Sequence, residues 1–169
     1  MDKIKREDIS FRYDLRPGDI GNVVRLHGLM YYRELGYGLG FEAYVAESIA
    51  EFCHQYDPEL DRVWIAEHEG NMVGFLSLMH RDENTAQLRY FFLLPEYRGL
   101  GLGKQMIGEF MEWLLSKEFD HCYLYTTGDL GTAAAIYTSH GFVLTEEKAN
   151  DSFGKLVTEQ RYDWRREAD

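Results

Sequence analysis

Phe91-Phe92-Leu93-Leu94-Pro95-Glu96-Tyr97-Arg98-Gly99-Leu100-Gly101-Leu102-Gly103-Lys104 is the stretch on which the fold turns. An apolar run stops at a proline, a short turn follows, and alternating glycines lead into Met106, Phe110, Trp113 and Leu114 at helical spacing. The pattern predicts a strand, a loop and a helix in direct succession. Glycine lets an anion approach the main chain closely. The start of a helix adds unpaired N–H groups and the positive end of the dipole. With Arg98 and Lys104 supplying charge, the segment Arg98, Gly99, Leu100, Gly101, Leu102, Gly103, Lys104 predicts a cradle for a pyrophosphate.

Two other phosphate loops do not fit. A Walker loop requires Ser or Thr after Gly-Lys and a glycine where Arg98 stands, but Gln105 follows Gly103-Lys104. A dinucleotide fingerprint starting at Gly99 and Gly101 requires glycine at position 104, which is Lys104.

Outward from this unit, the chain reads as β-α-α-β-β-β-α-β-α-β-β, a mixed α/β domain over residues 1–169. Ile9 to Leu15 alternates as a strand. Pro17 and Asp19 open a helix with Ile20, Val23, Val24, His27, Met30 and Tyr31 on one face, and Gly36, Gly38 and Gly40 break it. A second helix presents Phe41, Tyr44, Val45, Ile49, Phe52 and Cys53, ending at Asp57-Pro58. Arg62–His68 and Met72–Met79 form a hairpin. The turn Arg81-Asp82-Glu83-Asn84 leads to the strand from Thr85 to Leu94. The glycine loop and its helix, to about Lys117, come next. His121–Thr126 is a strand, Ala133–His140 a short helix, and Phe142–Glu147 and Leu156–Trp164 the last strands.

The composition narrows the class. Hydrophobic residues make up 45% and aromatic residues 15%, which excludes a disordered chain. Asp plus Glu number 29 against 18 Lys plus Arg, a net charge of -11, so nucleic acid is not the expected partner. The same charge is compatible with a cationic amine ligand or with nothing more than solubility. Cys53 and Cys122 form no CxxC pair, so neither a metal site nor a disulfide framework is expected, and a cytoplasmic setting is. Met1 to Arg6 is not backed by an apolar run, and no stretch suits a membrane span.

Arg98-x-x-Gly101-x-Gly103 after Leu93-Leu94-Pro95 resembles the coenzyme A signature of the GNAT superfamily of N-acetyltransferases. The resemblance implies a single domain with a mostly antiparallel sheet of about six to seven strands, flanked by about four helices. It implies that Phe92, Leu93 and Leu94 offer backbone groups to the pantetheine arm, and that N–H groups from Arg98 to Lys104 hold the pyrophosphate of acetyl-CoA. Ala133-Ala134-Ala135-Ile136-Tyr137-Thr138-Ser139-His140-Gly141-Phe142 is similar to a second landmark of the superfamily, in which the tyrosine lies near the acyl sulfur. Tyr137 is then the candidate general acid for the departing thiolate; as a bare sequence feature it is also a core tyrosine. Leu130 stands where many relatives have an asparagine, so no coenzyme contact is carried over there.

His27 to Glu34, Gly40-Phe41-Glu42 and Ser152-Phe153-Gly154 look like the acetyltransferase module that some bacteria fuse to a MarR-type DNA-binding domain, here expected to stand alone. The implied activity is acetyl transfer from acetyl-CoA to a primary amine, a small molecule or a peptide, by direct attack and without metal. A two-fold homodimer is expected from similar folds. The alternative is a non-catalytic acyl-CoA-binding or sensor domain. Candidates for the acceptor side and the base are Tyr31, Tyr32, Glu34, Glu42, Glu67 and the loop at Ser152-Phe153; His27 is either a base or a core residue.

Overall fold

A computed structural model describes residues 4–82 and 84–167. Met1 to Lys3, Glu83 of the expected turn, Ala168 and Asp169 lie outside the described residues. Among the described residues seven strands form one sheet: β1 (Ile9–Arg12), β2 (Arg62–His68), β3 (Asn71–Asp82), β4 (Thr85–Leu93), β5 (His121–Thr127), β6 (Val143–Asn150) and β7 (Val157–Arg165). Four α-helices accompany them: α1 (Asp19–Leu35), α2 (Leu39–Gln55), α3 (Leu102–Ser116) and α4 (Gly131–Ser139). The order in the sheet is β1-β2-β3-β4-β5-β7-β6. Every neighbouring pair is antiparallel except β4 and β5.

Strand alternation divides the core into two layers. Val63, Ile65, Phe75 and Met79 pack with Val23, Met30, Phe41 and Ile49 of α1 and α2. Trp64, Leu76 and Leu78 pack on the opposite face with Met106, Phe110 and Leu114 of α3 and with Tyr137 of α4.

β4 breaks this alternation. Ala86 and Leu88 belong to the α3–α4 layer, yet Tyr90 and Phe92, of the same parity, belong to the α1–α2 layer. The cause is a β-bulge. Ser77 pairs with Arg89 and Phe75 with Phe92, so Leu76 alone faces Tyr90 and Phe91. Tyr90 sits in the left-handed region at φ 58, which strains a non-glycine residue. Its burial and the bond from its hydroxyl to Ser48 Oγ at 2.9 Å hold it there.

The bend has a consequence one strand away. β4 and β5 pair only through Thr85, Ala86 and Gln87 and then separate. Beyond Gln87 the facing edges of two central strands are left unpaired, and a wedge opens in the middle of the sheet.

Candidate active site

The wedge widens into a cleft of about 660 Å³ running from the glycine loop along β4 as far as Gln87. The groups that face it are fixed by the ladder between β3 and β4. Leu94 N–H donates to Val73 O at 2.9 Å, and Leu94 continues the register in which Leu93 opposes Gly74. Alternation then turns the main-chain groups of Phe92 and Leu94 toward β3 and those of Phe91 and Leu93 toward the cleft. Of Phe92, Leu93 and Leu94, only Leu93 turns its main-chain groups to the cleft, while Phe92 lines it with its side chain and Leu94 packs beneath.

The glycine loop is arranged as a cradle. Gly99 and Gly101 both lie at φ 78, and a Cβ on either would meet nothing within 4 Å, so the space above them is open. The first helical bond of α3 runs from Gln105 N–H to Gly101 O at 3.1 Å. The N–H groups of Leu102, Gly103 and Lys104 therefore precede any helical acceptor. Arg98 N–H is occupied, donating to Pro95 O at 3.2 Å. Leu100 packs into the small core around Leu102 and does not line the cleft.

The Arg98 side chain does something other than expected. Its guanidinium donates to both Glu34 carboxylate oxygens, at 3.1 and 2.9 Å, and to Leu93 O at 3.0 Å. It ties the loop to α1 with its charge matched, leaving Lys104 as the cation without an ion-pair partner at this end, among the described residues.

Tyr137 lines the cleft at the level of the separated strands, 5% exposed. Burial holds its phenol well above the usual tyrosine range. Its ring stands between Phe142 and Tyr162 at 6.2 Å from each. The residue belongs to the core and also lines the cleft.

The remaining wall is aromatic. His27, Tyr31, Tyr37, Phe41 and Phe153 cluster, with Tyr31 and Phe41 stacked at 4.6 Å. Burial lowers the His27 pKa to about 4, and Nδ1 lies 3.1 Å from Val23 O, so the ring is neutral near pH 7 with its proton on Nδ1. Burial raises the Tyr31 phenol to about 12. Phe153 reaches this wall because its carbonyl accepts from Gly38 N–H at 2.8 Å. At Gly40 a Cβ would come within 2.2 Å of Ser152 O, so only glycine fits. Tyr32 is mostly exposed and does not line the cleft.

Two base candidates are not brought to the cleft. Glu42 fills the groove between α1 and α2, its Oε2 2.7 Å from where a Cβ on Gly28 would stand. Glu67 is bound by Arg12 at 2.8 Å. The three carboxylates that do line the cleft each hold a cation: Glu34 holds Arg98, Asp129 holds Lys155 at 3.3 Å, and Glu159 holds Lys148 at 3.1 Å. Burial pushes the Asp129 carboxyl up, but bonds from Thr127, Tyr37 and Lys155 outweigh it and keep the group below its usual value.

Sequence reasoning passed over Arg89 and Tyr125, and the tie between Tyr37 and Asp129. They lie outside the two landmark segments. Among the described residues no cluster of three metal-binding side chains occurs, and no helix is long and apolar enough to cross a membrane.

Residues 29–142 match the acetyltransferase (GNAT) family. The Uncharacterized N-acetyltransferase YjgM of Escherichia coli K12 is 33% identical over 100 residues, covering 51% of this chain and 60% of that protein. A mycothiol acetyltransferase of Streptomyces griseus is 29% identical over 92 residues, covering 54% of this chain and 29% of that protein. The chain thus spans less than two thirds of these relatives. An acetyltransferase structure from Streptococcus agalactiae superposes with a TM-score of 0.71 at 20% identity, over 95% of this chain and 99% of that one. An acetyl-CoA-bound GNAT family acetyltransferase from Elizabethkingia anophelis gives 0.62 at 11% identity, over 95% and 99%.

Proposed function

The chain belongs to the acetyltransferase (GNAT) family, and from that premise we propose that it transfers an acetyl group from acetyl-CoA to a primary amine by direct attack. The observation that carries the proposal is the joining of an anion cradle at the start of α3 to an unpaired strand edge through one cleft. Acetyl-CoA would supply the acyl group as a thioester, whose carbonyl is open to a neutral amine.

The chain's residues then have distinct tasks. Main-chain N–H groups from Gly99 to Lys104, with the Lys104 ammonium, hold the pyrophosphate. The cleft-facing backbone groups of Phe91 and the N–H of Leu93 align the pantetheine arm as an added strand would be aligned, the Leu93 carbonyl being held by Arg98, and a cleft-facing N–H stabilises negative charge on the carbonyl oxygen. Tyr137 donates its proton to the departing sulfur. Burial keeps the phenol protonated at neutral pH, and solvent returns the proton it gives up. Glu42 is withdrawn as a base, since it faces α1. With each cleft carboxylate already paired, deprotonation of the amine falls to solvent entering the open cleft.

Acetyl-CoA mixed with a panel of amines, with release of free thiol followed over time, tests the proposal. Thiol release with at least one amine is expected. Coenzyme A at about a hundred times its Kd should stabilise the fold by roughly 2.7 kcal/mol. Stabilisation without thiol release from any amine would favour the non-catalytic acyl-CoA-binding domain. No stabilisation at all would remove the loop as a coenzyme site.

A further inference from the structure

The cleft has an unneutralised cation at each end. Lys104 belongs to the coenzyme end. The other is Arg89, 8% exposed, in β4 just before the bulge. A buried guanidinium is costly unless it is paired. Arg89 Nη2 donates to the Tyr44 hydroxyl at 3.3 Å, a neutral and long contact, and the guanidinium carbon stands 4.9 Å from the centre of the Tyr90 ring. Among the described residues it pairs with no carboxylate. The nearby acids are otherwise engaged: Glu159 with Lys148 and Asn150, Asp129 with Lys155, and Glu51 with Arg81.

Arg89 lines the cleft four residues before Leu93, hence roughly 12 Å along the strand from the point where the coenzyme arm would pass. Tyr44, which it touches, and Tyr125 line the same cleft. A buried, planar, five-donor cation open to a cleft matches a carboxylate through two parallel hydrogen bonds.

We propose that the acceptor is an amine that also carries a carboxylate, an amino acid in the broad sense, and that Arg89 binds that carboxylate while the amine points along β4 toward Leu93 and Tyr137. The proposal rests on the acyl-transfer reading for the amine's destination. The carboxylate subsite itself is open to a binding measurement without turnover. It adds an anionic group to the amine that the net charge is compatible with: overall the protein is acidic, while Arg89 supplies a cation within the cleft.

The experiment uses α- and ω-amino acids paired with their own carboxamides. Thiol release from acetyl-CoA is measured for each pair, and calorimetric binding of each compound to the coenzyme A-loaded protein is measured in parallel. At least one acid should surpass its amide by tenfold or more in kcat/KM and in affinity, the scale expected when a charged group loses its hydrogen-bonded partner. In Arg89→Gln that preference should collapse, and Arg89→Lys should restore part of it. The thermal shift given by coenzyme A reports whether each variant is folded. Failure of the acyl-transfer reading would appear as binding of the acids without thiol release, with the Arg89 dependence intact, and the subsite would stand. Acids and amides bound equally, no acid bound at all, or a preference untouched in Arg89→Gln would overturn it.

Discussion

At the glycine-loop end of the cleft the groups on offer are main-chain N–H groups from six consecutive positions, Gly99 to Lys104, with one lysine side chain added. At the other end they are side chains: Arg89 from β4, Tyr44 from α2, Tyr125 from β5 and Phe153 from the β6–β7 loop. The first end is rigid by geometry, since a helix start and two left-handed glycines define it. The second is rigid by packing, since four separate elements must arrive together. A backbone site tolerates change in its non-glycine side chains and fails with its glycines. A side-chain site reverses that sensitivity.

The contrast is broken most severely at Gly101. At φ 78 a β-branched residue is strained, and its methyl groups would occupy the open space over the loop. Gly101→Val should abolish measurable coenzyme binding while acceptor affinity persists, read by calorimetry with each ligand. Normal coenzyme affinity in a folded Gly101→Val protein would mean that the cradle lies elsewhere.

Tyr137 lies between the two ends, and its loss should leave both binding sites alone. Tyr137→Phe should lower kcat by about a hundredfold, the lower part of the range for a lost general acid, with coenzyme affinity unchanged. The pH dependence has a defined sign. Burial raises the phenol's pKa, so the proton is retained as pH rises, and deprotonation of Tyr137 produces no alkaline fall in rate. The rate should climb with pH as the amine loses its proton, in both wild type and variant. An alkaline limb in wild type that vanishes in Tyr137→Phe would contradict the burial.

The same contrast explains what could be read from the chain. The strand, glycine loop and helix were legible because the pattern sits in contiguous residues, and the order of elements followed from hydrophobic periodicity. The parity switch in β4 was not legible, because Leu88, Tyr90 and Phe92 alternate without interruption in sequence and only the opposing β3 register reveals the extra residue. Arg89 belongs to no motif in the sequence; its burial and its contact with Tyr44 appear only in the fold. Glu42 followed a phenylalanine that does line the cleft, and a single helical step of about 100° turned it to α1 instead. The Arg98 ion pair could not be read from the loop, since its carboxylate partner is 64 residues away.

That ion pair supplies the smallest and most discriminating test. Glu34 puts a negative charge at the coenzyme end, where a pyrophosphate must also sit, and it holds Arg98 against α1. Two effects oppose each other in Glu34→Ala. Removing the carboxylate leaves the Arg98 charge uncompensated and favours an anion. Removing the clamp loosens the guanidinium, which still has Leu93 O as acceptor at 3.0 Å. Both Arg98 and Glu34 are substantially exposed, so each effect is screened, and exposed pairs are commonly worth about 1 kcal/mol or less. Since the loop is shaped by Gly99, Gly101 and α3 rather than by the clamp, the electrostatic effect should win. Coenzyme A should bind a few-fold more tightly to Glu34→Ala at low ionic strength, and the gain should fade as salt rises, because the Debye length shrinks to about 3 Å at 1 M. Acceptor affinity at the Arg89 end should not change. A weaker coenzyme complex in Glu34→Ala, insensitive to salt, would show that the cradle depends on a side-chain clamp after all, and the distinction between a backbone end and a side-chain end would have to be withdrawn.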